Sequence, residues 1–557
     1  MKKRVLTLAS LFLALTFILT GCTGGDKDVD PGTGAETGAE TGGGETGERK
    51  VIRTNNSSEP GSLDPALAQG THESWVLNHI FQGLMDYDEE GKVMPGVADS
   101  YELADDSVTY TFKLKEGVKW SNGDPVTAGD FEYSWKRALD PKLAADYAYQ
   151  LYYLKGGEAF NLGEGSVDDV GVKAIDETTL EVTLEVPTGY FLELTAFYTY
   201  YPVNQKVVEG NPDWAKNAET HVSNGAFKLT EWEHNAKIVI EKNDAFLNAD
   251  KVNLDAIEFA ILEDENTAWQ KYDGGEFDFL ATLPVAVVNE LQTSNSTEIT
   301  IGGQLGTYYY NLNSTKKPFD NVKVRKGLAL TIDREAIVSK ITLGGQIPAE
   351  GVVPFGMVDD TGEEYRDATG TLVAYDLEEG KKLFLEGLEE SGMTLDQFNA
   401  ENFVLLYNTN EAHQKIAQAV QEMWRTSLGI AIQLENVEFQ VKLDREKAGD
   451  YDISRAGWIG DYMDPMTFVD LWYSTSSFND AKFNNAEYDA LVDEAKASVD
   501  PKVRFDAMRK AEQILMGEMP VIPVYFYTQP YVQKDYVTGI YKPLINYPVM
   551  TYADINK

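Results

Sequence analysis

Apolar and polar residues alternate with a period of two in several short segments of this chain. The stretch VTYTFKL from Val108 to Leu114 is one, and LEVTLEV at 180–186 is another. Alternation of this kind predicts a strand with one buried face. The segments VIRT from Val51, KIVIEKN and AIEFAIL are also typical of strands. We therefore predict strands at all five places.

Other segments carry apolar residues at helical spacing behind residues that can cap a helix. THESWVLNHIFQGL starts at Thr71, a candidate N-cap, and TAGDFEYSWKRAL has Thr127 and Asp130 as cap candidates. The amphipathic stretch DNVKVRKGLALTIDREAIVSKI predicts one helix or two. ASVDPKVRFDAMRKAEQILMGEM predicts a late helical region. Helices thus alternate with strands along much of the chain.

The second half of the chain predicts parallel strand pairing. After Ala400 a strand, NFVLLYNTN, is followed by a helix from about Glu411 to Ser427 and by another strand, IAIQLENV. Two neighbouring strands joined through a helix pair in parallel, as in α/β proteins. TYYYNLN at 307–313 adds an aromatic strand, and MPVIPVYFY a buried one. The predicted fold class is α/β.

The start of the chain is typical of an exported lipoprotein. Three basic residues precede an apolar run from about Val5 to Leu19, which is shorter than the roughly 20 residues that span a bilayer. The run ends in LTGC, which resembles a bacterial lipobox, so we predict 1–22 as a signal with lipid attached to Cys22. The alternative is a plain signal peptide followed by a chance free cysteine. Cys22 is the only cysteine, so no intrachain disulfide is possible.

A low-complexity segment at 23–50 follows, rich in Gly, Thr, Glu and Ala, and we predict a disordered tether. The remaining roughly 500 residues exceed one hydrophobic core, so two or three lobes are expected. The chain has 48 basic and 90 acidic residues, a net charge of −42. Phosphates and anionic lipid surfaces would be repelled, which argues against binding to nucleic acid or lying flat on a membrane.

Sequence signatures of catalysis and metal binding are missing. The chain has no GxSxG and no HExxH, and its single cysteine excludes thiolate metal sites. We therefore predict no cofactor and no metal. Counting carboxylates does not rule out a glycosidase pair, but no feature selects one.

The segment RAGWIGDY, from Arg455 to Tyr462, brings a cation, a large aromatic and an acid together between glycines. A guanidinium suits a carboxylate, an acid such as Asp461 suits an ammonium, and an indole such as Trp458 supplies apolar area. Such a segment could hold a zwitterion. Taken alone, the segment is better explained as an ordinary strand end with a surface salt bridge.

Several segments together resemble the extracytoplasmic solute-binding proteins of peptide ABC importers, and within them the oligopeptide-binding branch. The resemblance extends in order from about residue 51 to 530. It rests on SEPGSLDPA, MPGVADSYEL, TYTFKLKEGVKWSNGDPVTAGDFEYSWKRALDP, GVKAIDETTLEVTLEVP, TYYYNLN, VRKGLALTIDREAIV, LLYNTNEAHQKIA and RAGWIGDYMDPMTFV.

The resemblance implies an α/β fold like that of the type II periplasmic binding proteins, with two lobes that clasp the ligand and a third, accessory lobe. Lobe I is expected to combine 51–81 with 206–305 and 524–557. The accessory lobe is expected at 82–205 and lobe III at 306–523.

The resemblance also implies roles for individual residues. Asp461 matches the acid that pairs with a peptide's α-ammonium. Arg455, His413 and Lys340 match groups that meet the C-terminal carboxylate of peptides of different lengths. Tyr147 and Trp458 match aromatics that line the cavity.

Two segments match those that pair with the ligand backbone: Gly70-Thr71, and the strand TYYYNLN with Tyr308, Tyr309 and Tyr310. Alternation along a strand puts Tyr309 on the opposite face from its two neighbours. The chain departs from the pattern at Glu446, where close relatives have an arginine. The adjacent Arg445 is a candidate substitute.

We therefore predict a monomeric, lipid-anchored receptor on the extracytoplasmic face of the cell membrane. It captures short peptides by their charged ends and amide backbone and delivers them to the membrane subunits of an ABC permease. Two alternatives are a surface-anchored peptide or glycan hydrolase and a receptor of the same fold for a sugar or a cell-wall peptide.

Overall fold

The computed structural model describes residues 49–545 and 547–557. The predicted signal, Cys22 and nearly all of the predicted tether lie outside these residues. Residues from Arg49 onward form one compact unit. Strands and α-helices are numbered below in chain order. Among the described residues, every helix is too short or too polar to cross a membrane.

A first sheet is built from the beginning of the body and a later segment. Its strands lie in the order β1 (Val51–Asn55), β10 (Ala256–Ala260), β9 (Lys237–Lys242) and β8 (Phe227–Glu233). β1 and β10 are parallel and the other pairs are antiparallel. The helix α1 (Thr71–Ile80) packs on this sheet through Trp75, whose ring lies 5.1 Å from that of Phe259. The sheet confirms three of the predicted strands.

A second sheet is antiparallel and comes from one continuous stretch of chain. Its strands lie in the order β4 (Ala98–Leu103), β5 (Thr109–Leu114), β7 (Thr179–Thr183) and β6 (Val172–Asp176). The helix α2 (Ala128–Ala138) packs against β6 and β7. Its predicted cap is confirmed, since the carboxylate of Asp130 accepts a hydrogen bond from the backbone N–H of Thr127 (2.8 Å).

A large mixed sheet contains the remaining long strands. These are β11 (Phe279–Leu280), β12 (Ile299–Leu312), β13 (Ile347–Pro348), β14 (Val404–Asn408), β15 (Gln433–Val437), β16 (Ile453–Ile459) and β17 (Val521–Gln533). The order is β11-β17-β12-β16-β14-β15, with β13 also paired to β17. β14 and β15 are parallel, as predicted from the strand–helix–strand pattern.

Two short hairpins and further helices complete the described chain. The hairpins pair β2 (Met85–Tyr87) with β3 (Val93–Pro95) and β18 (Val537–Thr538) with β19 (Asp554–Ile555). The remaining helices are α3 (Gly157–Asn161), α4 (Phe191–Leu194), α5 (Gln205–Gly210), α6 (Glu265–Asp273), α7 (Val285–Thr293), α8 (Val322–Leu330), α9 (Arg334–Ile337), α10 (Tyr365–Thr369), α11 (Leu377–Glu390), α12 (Leu395–Glu401), α13 (Glu411–Leu428), α14 (Phe439–Ala448), α15 (Met466–Val469), α16 (Ala486–Ala497) and α17 (Pro501–Glu518).

The stretch predicted as one helix or two forms both α8 and α9, followed by a π-helical turn at Val338–Thr342. At α1, the prediction of Thr71 as N-cap is wrong. Gly70 occupies that position with extended backbone, and Thr71 is the first helical residue.

The lobe boundaries expected at 305/306 and 523/524 fall inside two long strands, β12 and β17. β12 and β17 pair with each other before and after these boundaries, but the pairing is irregular between Gly303 and Thr307. Both expected boundaries thus lie within the large sheet, close to a local break in the β12–β17 ladder.

Candidate functional site

A cavity of about 390 Å³ is lined by β16, by the starts of α1 and α13, and by residues from the second half of β17. Most of the residues predicted to bind ligand are among its lining. These are Gly70, Thr71, Tyr147, Tyr309, His413, Arg455, Trp458 and Asp461. Because they come from segments far apart in sequence, the fold itself assembles the site.

The strand β16 offers an open edge to this cavity. It pairs with β12 along its whole length, but with β14 only at Ile453 and Ser454. From Arg455 to Ile459, its second edge has no strand neighbour in the described part of the chain. Unpaired N–H and C=O groups on such an edge can accept an extended chain as an added strand.

The aromatic strand TYYYNLN does not offer such an edge, which corrects the expectation that its backbone pairs with a ligand. It lies in β12 between β16 and β17, and Tyr308 is opposite Gly457 on one side and Tyr525 on the other. Tyr309 lines the cavity, whereas Tyr308 and Tyr310 are fully buried on the opposite face of the sheet. The alternation predicted along this strand is therefore present, but its backbone is already paired.

The carboxylate of Asp461 lines the cavity and has neutral partners. It accepts hydrogen bonds from Gln150 Nε2 (3.1 Å) and from the Tyr147 hydroxyl (3.4 Å). Among the described residues, no cation forms an ion pair with it. Burial, with the nearby charge of Asp470, raises the pKa of Asp461 well above its ordinary value. An ammonium group placed beside it would relieve this penalty.

Aromatic rings form the wall next to Asp461. The indole of Trp458 lies 5.0 Å from the ring of Phe478 and 6.2 Å from that of Tyr147. The Trp458 Nε1–H is buried without a hydrogen-bond partner in the described chain. The wall therefore combines apolar area with one free donor, a combination suited to a ligand that is partly apolar and partly polar.

The guanidinium of Arg455 lies further along β16 and is also held by neutral groups. It donates hydrogen bonds to the Tyr527 hydroxyl (2.6 Å) and to Asn408 Oδ1 (3.4 Å), and it lies 4.6 Å from the ring centre of Tyr308. Within residues 49–545 and 547–557, no carboxylate forms an ion pair with it, and its Nε has no hydrogen-bond partner. Arg455 thus keeps an uncompensated positive charge that suits a carboxylate.

His413 lies in the first turn of α13, where its backbone N–H donates to the Asn410 side chain (3.0 Å). Burial, and then the positive charges of Arg455 and Lys442, lower the pKa of His413 well below its ordinary value. The ring is therefore neutral at physiological pH. Its Nδ1 is buried and has no partner in the described structure, so it is available to a ligand.

The structure does not bring Lys340 to this cavity. Lys340 is exposed on the π-helical turn after α9, and from that turn only Thr342 is part of the lining. The π-helical turn directs its side chain to solvent instead.

Glu446 stands where the resemblance implies an arginine, and Arg445 does not take that place in the cavity lining. Glu446 lines the cavity and pairs with Lys442 one turn earlier in α14 (2.5 Å). The Ser454 hydroxyl donates to its other oxygen (2.6 Å). Arg445 lies outside the lining and forms ion pairs with Glu435 and Asp450 at 3.0 and 3.3 Å. The local cation at this wall is therefore Lys442, already neutralised by Glu446.

Sequence reasoning missed several residues of this site. Gln150 and Tyr527 are the closest partners of Asp461 and Arg455, and Glu265 lines the cavity from α6. The motifs carry no sign of these contacts, because each depends on two segments that meet only after folding. No cluster of His, Cys, Asp and Glu in the described residues could hold a metal ion.

Known proteins resemble this chain over most of its length. The model of the bacterial extracellular solute-binding proteins, family 5 (Middle), matches residues 92–480. The oligopeptide-binding protein OppA of Bacillus subtilis is 41% identical over 551 residues, which cover 98% of both chains.

Solved structures agree with this match. OppA of Haemophilus influenzae in complex with RPPGFSPFR has a TM-score of 0.85 at 35% identity, covering 92% of this chain and 100% of that one. The murein tripeptide binding protein MppA of Escherichia coli has a TM-score of 0.84 at 33% identity, covering 92% and 99%. The unliganded open form of MppA has a TM-score of 0.61 at 32% identity, covering 91% of this chain and 98% of that one. This chain belongs to the bacterial extracellular solute-binding proteins of family 5.

Proposed function

We propose that this protein is a receptor that captures short peptides outside the cell and delivers them to an ABC permease for import. The relatives named above are oligopeptide-binding and murein tripeptide binding proteins, and one structure contains a nine-residue ligand, RPPGFSPFR. Peptide capture needs contacts with the ligand's charged ends and backbone, and the site geometry supplies such contacts.

One observation carries the proposal. A single cavity contains an acid and a cation that have no ion-pair partner in the described chain, Asp461 and Arg455, and the unpaired edge of β16 lies between them. Asp461 suits the α-ammonium of a peptide, Arg455 its α-carboxylate, and the edge of β16 its backbone. Every peptide has these three groups, so this set of contacts reads what peptides share.

The roomy aromatic wall at Trp458 explains how different side chains are accepted. Rings provide contact area without a demanding hydrogen-bond pattern, and waters can bridge variable polar groups at small cost. This wall is therefore expected to discriminate little between the side chains of different peptides.

The ligand is proposed to be enclosed by a hinge movement of two lobes, with boundaries near 305/306 and 523/524. The chain superposes much better on one MppA structure than on its open form, at TM-scores of 0.84 and 0.61. This supports a closed arrangement here and an open one reached by rigid-body motion. The irregular ladder between Gly303 and Thr307 supplies a place where β12 and β17 can bend.

Localisation is proposed from the sequence and the family together. The family is extracellular, and LTGC at the end of the apolar run supports lipid attachment at Cys22. The acid-rich body would then stay near, but off, an anionic membrane surface as a monomer.

Calorimetry with a matched peptide set tests this function. A tetrapeptide with free ends should bind in the micromolar range or tighter, while its N-acetylated and C-amidated forms should each bind at least about tenfold more weakly. Mass spectrometry of the recovered peptide should find it intact. Cleavage products would identify a hydrolase instead, and tight binding of a sugar with no binding of peptides would identify a sugar receptor.

A further inference from the structure

Glu265 is a buried acid that reaches into the cavity from outside the large sheet. It is the first residue of α6, is 6% exposed and belongs to the cavity lining. Its Oε1 accepts a hydrogen bond from the Asn410 side-chain amide (2.5 Å), and Asn410 is the N-cap of α13. Glu265 therefore joins α6 to the helix that carries His413.

The second oxygen of this carboxyl group is free. Oε2 of Glu265 is buried and has no hydrogen-bond partner in the described residues. Asn410 also accepts a hydrogen bond from the backbone N–H of His413 (3.0 Å), so one amide side chain links Glu265 to the first turn of α13. An unsatisfied buried polar atom is costly, and one that faces a binding cavity is explained when a ligand supplies its partner.

The surroundings of Glu265 favour its neutral form. Burial is the main cause and raises the pKa of Glu265 to about 8, with the hydrogen bond from Asn410 opposing the rise. No cation of the described chain pairs with it. The charged groups that act on it are Glu411, Lys415 and Asp264, and Glu411 and Lys415 pair with each other at 2.7 Å. Tyr525 also interacts with it, and Glu263, His413 and Arg455 line the same cavity.

A neutral carboxyl group at this position can donate a hydrogen bond, which an ionised one cannot. The same cavity contains Arg455 and the N-terminus of the 18-residue helix α13, which favour an anion, and the neutral His413, which can donate one N–H to it. An ionised Glu265 would repel that anion, whereas a neutral one would add to its binding.

We propose that Glu265 binds the ligand as a neutral acid, donating a hydrogen bond from Oε2 to the C-terminal carboxylate of a peptide that reaches the start of α13. This inference rests on the proposed peptide-binding function. In the open, hydrated cleft the group is ionised, so it takes one proton from solvent when the cleft closes on the peptide. Peptide capture is thereby coupled to proton uptake at Glu265.

The test compares Glu265→Gln with wild type. Glutamine keeps a donor in the same shape but does not titrate, and Glu263→Gln is a matched control because Glu263 also lines the cavity but is only half-buried. Calorimetry of a tetrapeptide with free ends, in two buffers of different ionisation enthalpy, reports the protons taken up. Effects at Asp461 and at the peptide amine are common to all three proteins and cancel.

Near pH 6.5, wild type and Glu263→Gln should take up close to one proton more per bound peptide than Glu265→Gln. Uptake of one proton on binding changes the peptide affinity by at most about tenfold per pH unit. Wild-type affinity should therefore fall at least about tenfold between about pH 6.5 and about pH 8.5, more steeply than that of Glu265→Gln. Glu265→Leu removes the donor at every pH and should weaken the free acid about tenfold or more at pH 6.5, but the C-terminal amide by less.

Equal proton uptake and parallel pH profiles in wild type and Glu265→Gln would overturn the proposal. An equal loss for acid and amide in Glu265→Leu would overturn the assignment to the carboxylate. If wild type bound no peptide at any pH, the proposed function itself would fail, and that result is distinct from either of these.

Discussion

Two sets of charges in this protein, one fully buried and the other half-buried at the cavity, differ in how they are neutralised. Arg366 in α10 and Glu512 in α17 form an ion pair at 2.6 Å, with side chains only 1% and 0% exposed. Glu512 also accepts hydrogen bonds from the backbone N–H groups of Val352 and Val353 at 2.9 and 3.0 Å. In the cavity, by contrast, Asp461 and Arg455 are held only by neutral groups.

This difference distinguishes charges that stabilise the folded protein from charges that are available to bind a ligand. Arg366 and Glu512 compensate each other, so removing either leaves a buried charge without a partner. Asp461 and Arg455 are oriented by phenols and amides, but no opposite charge compensates them. This lowers the stability of the ligand-free protein and keeps both charges available to attract the ends of a peptide. The following experiments test this separation.

Replacing Asp461 by Asn should have the largest effect on binding. The ammonium of a bound peptide would lose its charged partner in a closed cavity, at a cost of about 3–5 kcal/mol. Titration calorimetry should show this loss for peptides with a free amine and little change for N-acetylated ones. An equal loss for both peptides would remove Asp461 from its role.

Replacing Glu512 by Gln should have an effect of similar size on stability instead. Arg366 would remain buried without its partner, so the free energy of unfolding should fall by about 3–5 kcal/mol in urea titrations. Folded protein at low temperature should still prefer free-ended peptides to blocked ones. If that preference disappeared, the two sets of charges would not be separate.

Replacing Arg455 by Gln should weaken the binding of free-acid peptides by about 1.5–3 kcal/mol, the usual value of a hydrogen bond to a charged group. C-terminally amidated peptides lack the negative charge and should lose less. The comparison by calorimetry needs both peptide forms, and the interpretation fails if the amide loses as much as the acid.

The stability of the ligand-free protein should respond to Asp461 in a pH-dependent way. Because burial raises the pKa of Asp461 in the folded protein, its ionisation favours the unfolded chain as the pH rises above its ordinary value of 3.8. Asp461→Asn should therefore melt at a higher temperature than wild type at pH 7, with the gap closing toward pH 3.8. A lower melting temperature for the variant at pH 7 would contradict this.

Replacing Lys340 by Ala should have the smallest effect, within about 0.5 kcal/mol for both stability and peptide affinity. Lys340 is exposed on the turn after α9 and lies outside the cavity lining. A marked loss of affinity for one peptide length, measured across tri- to hexapeptides, would show that this turn moves to the ligand and that the separation of charges is incomplete.

Local pattern was enough to predict most strands and helices. Alternation at Val108–Leu114 and the strand–helix–strand order after Ala400 depend only on neighbours in sequence, and both elements form as predicted. The N-cap at α1 was wrong because threonine and glycine are both acceptable there, and the backbone at Gly70 decides.

The site was harder to predict than the fold. RAGWIGDY indicated Arg455 and Asp461 because the charges themselves stand in one short segment. The order of strands in the sheet decides which strand edge is open, and this order is not visible in a single segment. The aromatic strand β12 was therefore expected to pair with the ligand backbone, although both of its edges are already paired. The contact between Glu265 and Asn410 joins residues 145 positions apart, and no local pattern records such a meeting.

The open edge of β16 also bears on what can reach it. A bare strand edge on a protein surface invites pairing with any neighbouring chain and is a common route to aggregation. Here the edge lines a cavity instead of facing solvent, so intact proteins and long loops are kept from it by size. Chains small enough to enter the cavity can reach the edge, so access selects among partners before any contact is formed.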